Sequence, residues 1–321
     1  MLTFRPTLVW FALPAAALLP VAATSLHRAA IAQDASRLPE SARLALRARS
    51  GDQIKMEGDR KVTTHIHLEA VSSEFSSEAI AKGSTNYQFR GRGSIGTMMF
   101  AVTDTITTNM TNSSNQPVKP TVFRAASLYT VRPNLEVIRS TPIGVANKKT
   151  GTSANTGSSA SGMFGVIRFP DKVLKSGDTW SGNISVTNNS DLRGISMHFE
   201  ATVAGFEMYQ GFPCARVETN YSYKGPLPGV EAQVRKQIPA GSKLASEGQL
   251  TGTETTFYAL DRGWPLNESA KITVALALTV TVNGQMLEVG GTIDTDSHSA
   301  VVGYPTYDPS LVPKVAASTA P

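Results

Sequence analysis

The chain has 321 residues, with 41% apolar and 17% charged, a balance that excludes a disordered chain and describes a packed globule. Its 30 Lys and Arg face 25 Asp and Glu, and without Arg5 and Arg28 the basic count falls to 28, a charge of +3. That excess is spread along the chain with no basic stripe, so no nucleic-acid partner is expected. Cys214 is the only cysteine, which rules out an intramolecular disulfide.

Residues 1–32 have the character of a signal peptide. Arg5 gives a positive start, Leu8 to Ala23 is apolar but broken by Pro14 and Pro20, and Ala30-Ile31-Ala32 places small residues where a signal peptidase reads. An uncleaved anchor is the competing reading, but the run is short for a bilayer span. The mature chain is expected to begin at Gln33 and to be periplasmic, cell-surface or secreted, soluble and without a stable membrane anchor. Cys214 lies too far along for lipid attachment at that terminus.

From residue 33 to 146 the pattern predicts an N-terminal β half. Ala42–Ala48 alternates Leu44, Leu46 and Ala48 with arginines, as a first strand would, with a short helix as competitor. Val62–Val71 places Val62, Thr64, Ile66, Leu68 and Ala70 on one face. Ser84–Arg90, Thr97–Asn109 and Ser127–Ser140 are further strands, with Asn112–Pro120 a turn-rich break. Residues 147–165, rich in Gly, Ser and Thr, form a linker or exposed loop.

The C-terminal β half is expected over residues 166–302. Ser176-Gly177-Asp178 echoes Ser50-Gly51-Asp52, a hint of two related halves. Strands are predicted over Trp180–Thr187, Leu192–Val203, Pro213–Tyr223 and Gln249–Leu260. Val230, Val234 and Ile238 recur at helical spacing before Pro239, giving one short helix. Residues 303–321, rich in Pro and Ala, read as a disordered tail.

The clearest pattern runs from Thr255 to Ile293. Ile272, Val274, Leu276, Leu278, Val280 and Val282 share one parity, with Lys, Thr and Ala on the other. Asn283-Gly284 then signals a two-residue hairpin turn with both central residues at positive φ. That turn sets Val282 opposite Gln285, Val280 opposite Leu287, Leu278 opposite Val289, Leu276 opposite Gly291 and Val274 opposite Ile293. Both apolar parities then share a face.

Three segments carry a resemblance: Pro170-x4-Lys175-x-Gly177-Asp178-x-Trp180, Gly211-Phe-Pro-Cys214-Ala-Arg-Val-Glu218, and Phe257-Tyr-Ala-Leu-Asp261-Arg-Gly263. Over Phe169–Val302 the chain resembles an uncharacterised family of exported bacterial antiparallel-β proteins. The resemblance implies a curved sheet distantly similar to envelope lipoprotein carriers, which hold acyl chains in an open half-barrel. It brings no catalytic residues.

Candidate chemistry is sparse. His65 and His67 project from one strand face and are the best metal candidates, but Glu69 would lie about 13 Å from His65 and could not complete the site. A solvated strand face is the alternative, and no metal or other cofactor is expected. Gly91-Arg-Gly93-Ser-Ile-Gly96 matches a dinucleotide fingerprint, yet strand rather than helix follows it, so it is a Gly-rich turn. Lys149-Thr150-Gly151 and Lys175-Ser176-Gly177 resemble a box of penicillin-recognising enzymes, whose Ser-x-x-Lys nucleophile motif is absent. There is no Gly-x-Ser-x-Gly elbow either. Cys214 reads as a buried small hydrophobe, and Trp180, Trp264 and Phe257 as core anchors.

The expected molecule is therefore all-β, with curved antiparallel sheets in a half-barrel or sandwich, two related β halves and at most one or two short helices. Its expected role is non-catalytic: binding an apolar ligand or lipid in a curved sheet along Ile272, Val274, Leu276, Leu278 and Val280. The alternative is a structural or protein-interaction module with a solid core, and a metal-dependent enzyme ranks behind both.

Overall fold

The computed structural model describes residues 38–68, 73–111, 117–143, 167–185, 194–236 and 238–312. Residues 1–32, expected to be a signal peptide, Glu69, and residues 147–165, expected to be a linker or loop, lie outside the described residues. Eleven strands form one antiparallel sheet. A first group comprises β2 (Gln53–Leu68), β3 (Ser73–Arg92), β4 (Met98–Thr111), β5 (Pro117–Val131) and β6 (Val137–Pro142). The second comprises β8 (Thr179–Ser185), β9 (Ser196–Tyr209), β10 (Phe212–Gly225), β11 (Lys243–Ala259), β12 (Pro265–Val282) and β13 (Gln285–Gly303). Outside it, β1 (Ser41–Ala42) pairs with β7 (Leu174–Lys175), and α1 (Pro228–Val234) is the one α-helix among the described residues.

Each half is a meander, and pairing of β13 with β2 joins them, giving the order β6-β5-β4-β3-β2-β13-β12-β11-β10-β9-β8. β6 and β8 remain edges, so the sheet is not closed. It is nevertheless strongly curled. Phe100 on β4 meets Trp264, just before β12, with ring centroids 5.1 Å apart. On a flat sheet four strand spacings would hold those strands about 19 Å apart.

The β12–β13 hairpin has the register expected from its sequence, from Val282↔Gln285 to Val274↔Ile293. Asn283 and Gly284 take φ of 51° and 80°, as the turn requires. The inner face then divides by height. At the lower end, Leu46, Ile54, Phe100, Leu135, Phe169 and Trp264 belong to one packed core. At the upper end, Leu227, Val230 and Val234 of α1 pack on Leu276, Leu278, Val280 and Val289. Gly248 allows that helix to seat closely, since a Cβ there would meet the Leu227 side chain at 2.6 Å. Glu231 accepts from the Ser246 hydroxyl at 2.8 Å, and Ser246 accepts from the Leu227 N–H at 2.8 Å.

A buried ion-pair network locks the lower end. The Arg262 guanidinium bonds Asp52 at 2.9 Å and Asp261 at 2.5 Å, and donates to the Thr306 carbonyl at 3.1 Å. Asp261 also accepts from the Tyr304 hydroxyl at 3.1 Å and the Asp308 N–H at 3.0 Å. Trp264 donates from its indole to the Arg47 carbonyl at 3.3 Å. Gly263, at φ 66°, lies so close to the strand-like segment beneath that a Cβ would come within 2.2 Å of the Ala45 carbonyl oxygen.

Four expectations need correction. The strand predicted over Ala42–Ala48 is regular only at Ser41–Ala42, although Ala42, Leu44, Leu46 and Ala48 are all buried. The segment beyond is held by single bonds to other chain segments, such as Leu46 N–H to the Pro133 carbonyl, in place of a ladder. Ser127–Ser140 is two strands: Arg132–Glu136 turns, with Leu135 at φ 69° and the Asn134 side chain accepting from the Glu136 N–H. Pro117–Pro120 belongs to β5, because β6 pairs only with the far end of that strand and leaves an edge plus a bulge where prolines cost no ladder bond. Residues 303–312, placed in the tail, are packed instead, with Tyr304 buried against the Arg262 network.

Replacing Asp52 by Ala removes one partner of a guanidinium that stays buried, and should cost about 3–5 kcal/mol in urea unfolding. A loss below about 1 kcal/mol would show that the network does not anchor the lower end.

Candidate functional site

Between its two cores the inner face is not fully packed. Thr64, Ile272, Ile293, Thr295, Ser297 and Glu268 all point inward by register, yet all are only half-buried. Inward residues below them (Ile54, Met56, Leu266) and above them (Leu276, Leu278, Val280) are buried. A half-buried layer therefore lies at mid-height inside the curl, interspersed with the buried Arg60, Val62 and Ala270 and placed between the lower core and the cluster under α1. Its height follows from strand length: β2, β3, β12 and β13 have 16, 20, 18 and 19 residues. These are about three times the usual length, enough for three successive layers of inward side chains.

A polar belt lies on the inner face at and just below this layer. On β4, Asp104 is 2% exposed, and its Oδ1 accepts from the Thr85 hydroxyl of β3 at 2.8 Å. Its Oδ2 is buried with no hydrogen-bond partner. Burial pushes this carboxyl up to about 6, against the lowering effect of the Thr85 bond. On β11, Glu254 accepts from Tyr221 of β10 at 2.7 Å and from Thr256 at 2.6 Å, and burial raises its pKa despite both bonds. Glu268 on β12 retains some surface, but protein atoms crowd its carboxyl. Burial, then the Glu254 charge, hold it well above the ordinary carboxylate range.

The belt crosses the seam between the halves. Tyr87 of β3 is 2% exposed and T-stacked on Trp264 at 5.6 Å. Burial raises its pKa first, and the charges of Asp104 from one half and Glu268 from the other raise it further. Tyr221 and Tyr258 sense Glu254 and Glu268 in the same way. The belt combines weakly acidic carboxyls with tyrosine hydroxyls in a desolvated setting, which suits recognition of a hydrogen-bond donor or a cation.

The residues singled out from sequence fall elsewhere or around this belt. His65 and His67 stand on the outer face of β2, both exposed, and His67 lies 4.0 Å from Glu74. His298 pairs with Asp59, six residues along β2 from His65, so about 20 Å separates them. His198 bonds Asn183 on the opposite edge pair. Among the described residues no three of His, Cys, Asp and Glu gather as a metal site requires. Of the ligand-facing candidates, Ile272 is half-buried against the lower core, Val274 is buried in it, and Leu276, Leu278 and Val280 lie under α1. Gly91–Gly96 forms the β3–β4 connection, closed by a single 3-10 turn. Cys214 is fully buried, its thiol pushed up to about 12 by burial.

Asp104, Glu254 and Glu268 were not among the sequence candidates. For two of them a signal is present: Asp104 and Glu268 are carboxylates on the apolar parity of their strands, as in Phe100-x-Val102-x-Asp104-x-Ile106, whereas Glu254 lies between Gly252 and Thr256.

No protein-family model matches the chain, and no curated protein matches it in sequence. Solved structures do match. A protein described as exported, with a YmcC-like fold, from Bacteroides fragilis is 10% identical and covers 81% of this chain and 97% of its own, with a TM-score of 0.26. A protein described as a lipoprotein from Parabacteroides distasonis is 11% identical over 81% of this chain and 97% of its own, also at 0.26. The Acinetobacter baumannii protein OccAB4 is 6% identical over 79% of this chain and 99% of its own, at 0.27. Among the described residues no helix is long and apolar enough to cross a membrane.

The raised Asp104 pKa has a stability consequence. A carboxyl near 3.8 unfolded and about 6 folded favours the folded state only while protonated, so its penalty is absent below pH 4 and complete above about pH 6. Asp104→Asn should therefore stabilise the protein by on the order of 2–3 kcal/mol at pH 7.5 and by almost nothing at pH 3.5. Thermal unfolding across that range checks this, and a pH-independent difference would remove the assignment.

Proposed function

We propose that the chain is an exported, non-catalytic carrier that holds a ligand with a substantial apolar part inside its curled sheet. The observation that supports this is the mid-height layer, whose inward Ile272 and Ile293 remain only half-buried at the margins of two packed cores, read here as the wall of a hollow. A solid-core module would pack these as tightly as the residues above and below them. The leader pattern at residues 1–32 supports export. The roof supports reversible loading: α1 has only seven residues, is bounded by Pro228 and Pro239, and can lift without breaking a sheet ladder.

A second reading, a protein-interaction module, draws on exposed Val122, Ile138 and Ile143 along the β5–β6 edge, at 54%, 47% and 46% exposure. Exposed apolar groups beside an open edge strand suit a docking partner.

The two readings separate by experiment. Protein purified from its native host should show a lipid-sized added mass by native mass spectrometry, removable by solvent extraction. Ile272→Trp, which fills the hollow from its wall, should abolish that mass while near-UV circular dichroism stays native-like. Protein that is always empty, and unaffected in this assay by the substitution, would overturn the carrier reading.

A further inference from the structure

We propose that the outer face of β4, β5 and β6 docks on an anionic phospholipid bilayer and holds the protein reversibly at a membrane. The inference goes beyond the carrier reading and does not rest on it.

Charge is the first observation, and it departs from the even spread expected of the sequence. Between Asp104 and Asp171 stand seven basic residues and one acidic, Glu136, while the rest of the chain after residue 32 has 21 basic and 24 acidic. A small average thus conceals +6 in one stretch and −3 in the remainder. Lys148 and Lys149 of that stretch lie outside the described residues, and the surface does not depend on them. The fold keeps the surplus together, because β5 and β6 form one end of the strand order. Glu136 is shared by Arg132 at 2.6 Å and Arg168 at 3.2 Å, so even that corner retains a positive charge. Arg124 and Arg139 are exposed, with no ion-pair partner among the described residues.

Register puts these charges beside aliphatic side chains. Val122, Arg124, Ala126 and Leu128 have the parity opposite to that of the buried Ser127 and Tyr129, so they point outward. Arg139 stands opposite Thr130 on the same parity, and the Ile143 N–H donates to the Ala126 carbonyl. Ile138 is the extra residue of the β6 bulge, and it is exposed together with Val122 and Ile143. The outward residues of β4 opposite β5, from Met99 to Thr107, are uncharged. Among the described residues this face carries no acidic side chain.

The same features weigh against other occupants. A second copy in isologous contact would set Arg124 and Arg139 near their own equivalents, like charge against like. A partner strand added at the edge would need an unbroken ladder, but Pro120, Pro142 and the bulge interrupt this one. Charges that served only to keep the edge soluble could be of either sign, yet here all are basic. A bilayer surface needs neither ladder nor pocket, only cations and aliphatic groups on one open face.

The test is flotation of the full exported chain with vesicles of equimolar phosphatidylglycerol and phosphatidylcholine, or of phosphatidylcholine alone. Binding to the anionic vesicles should be about tenfold or more tighter at about 0.1 M salt and largely lost at about 0.5 M. Arg124→Glu with Arg139→Glu should weaken it by about twentyfold or more, at about fivefold per charge, with thermal unfolding unchanged because both side chains are exposed. Lys236→Glu with Lys243→Glu makes the same change in net charge on exposed sites of the other half, and should leave binding within about threefold. In Val122→Trp, indole emission should shift to the blue on anionic vesicles and not on neutral ones. Equal binding to both vesicles, or equal weakening by the two double substitutions, would overturn the assignment. Binding to polyglutamate but to neither vesicle would make an acidic protein the occupant, and vesicle-independent dimers lost in R124E/R139E would make it a second copy. Either result would overturn the bilayer assignment.

Discussion

The lower end of the molecule depends on one buried guanidinium. Arg262 sits in the tight turn between β11 and β12 and binds Asp52 at the start of β2, Asp261 beside it, and the chain after β13 through Thr306. Those three segments meet at the same end of the consecutive strands β2, β13 and β12, and the network ties that end together. Charges this deep are tolerated only when every donor and acceptor finds a partner, so the network enforces one geometry more than it adds net stability. With the β11–β12 turn pinned over the segment containing Ala45, Trp264 is carried across to Tyr87 and Phe100, and the inner face becomes the inside of a half-barrel.

Curling also explains the relation between the halves. Arg49-Ser-Gly-Asp52 and Lys175-Ser-Gly-Asp178 make the same turn: each Asp side chain accepts from the N–H three residues earlier, at 2.8 and 2.9 Å. Gly51 and Gly177 share φ near 86° and 85°, and each Asp carbonyl accepts from the neighbouring strand, from Phe89 and from Val203. Such matched backbone detail is stronger evidence for a repeated unit than three shared letters. The end of the second half pairs with the start of the first, so the sheet runs continuously across the seam. The outer strands β6 and β8 then lie farthest from the seam, as the edges of the sheet.

Much of this was legible in the sequence, and the failures share a cause. Alternation over Ile272–Val282 and the Asn283-Gly284 pair determine both strand and register, because period and turn chemistry are local properties. The Ala42–Ala48 segment kept its buried parity but not its ladder, since no local signal tells a strand from an extended chain pinned by tertiary contacts. Tyr304 looked like tail because its partner, Asp261, lies 43 residues away. Among site residues, Ile272 was found through its parity, whereas Asp104 and Glu254 were passed over as charges among apolar positions. Nothing local shows that carboxylates on β4, β11 and β12 meet at one height. That depends on how far the sheet curls.

The height of these charges is what separates a site from a flaw. An isolated carboxylate on a buried strand face would be a local cost, removable by any neutral substitution of similar size. Here the break in apolar parity recurs on several strands: Asp104 between Val102 and Ile106, Glu268 between Leu266 and Ala270, Glu254 between Gly252 and Thr256. Small residues flank the breaks, with Gly58 and Ser299 on the strands of the seam opposite Glu268. Packing alone gives no reason to put carboxyls and small side chains on one layer, because aliphatic residues would fill that space and bury better. Two of these carboxyls, Asp104 and Glu254, bonded to tyrosine and threonine hydroxyls, differ from those of the lower end, where Arg262 pairs both Asp52 and Asp261.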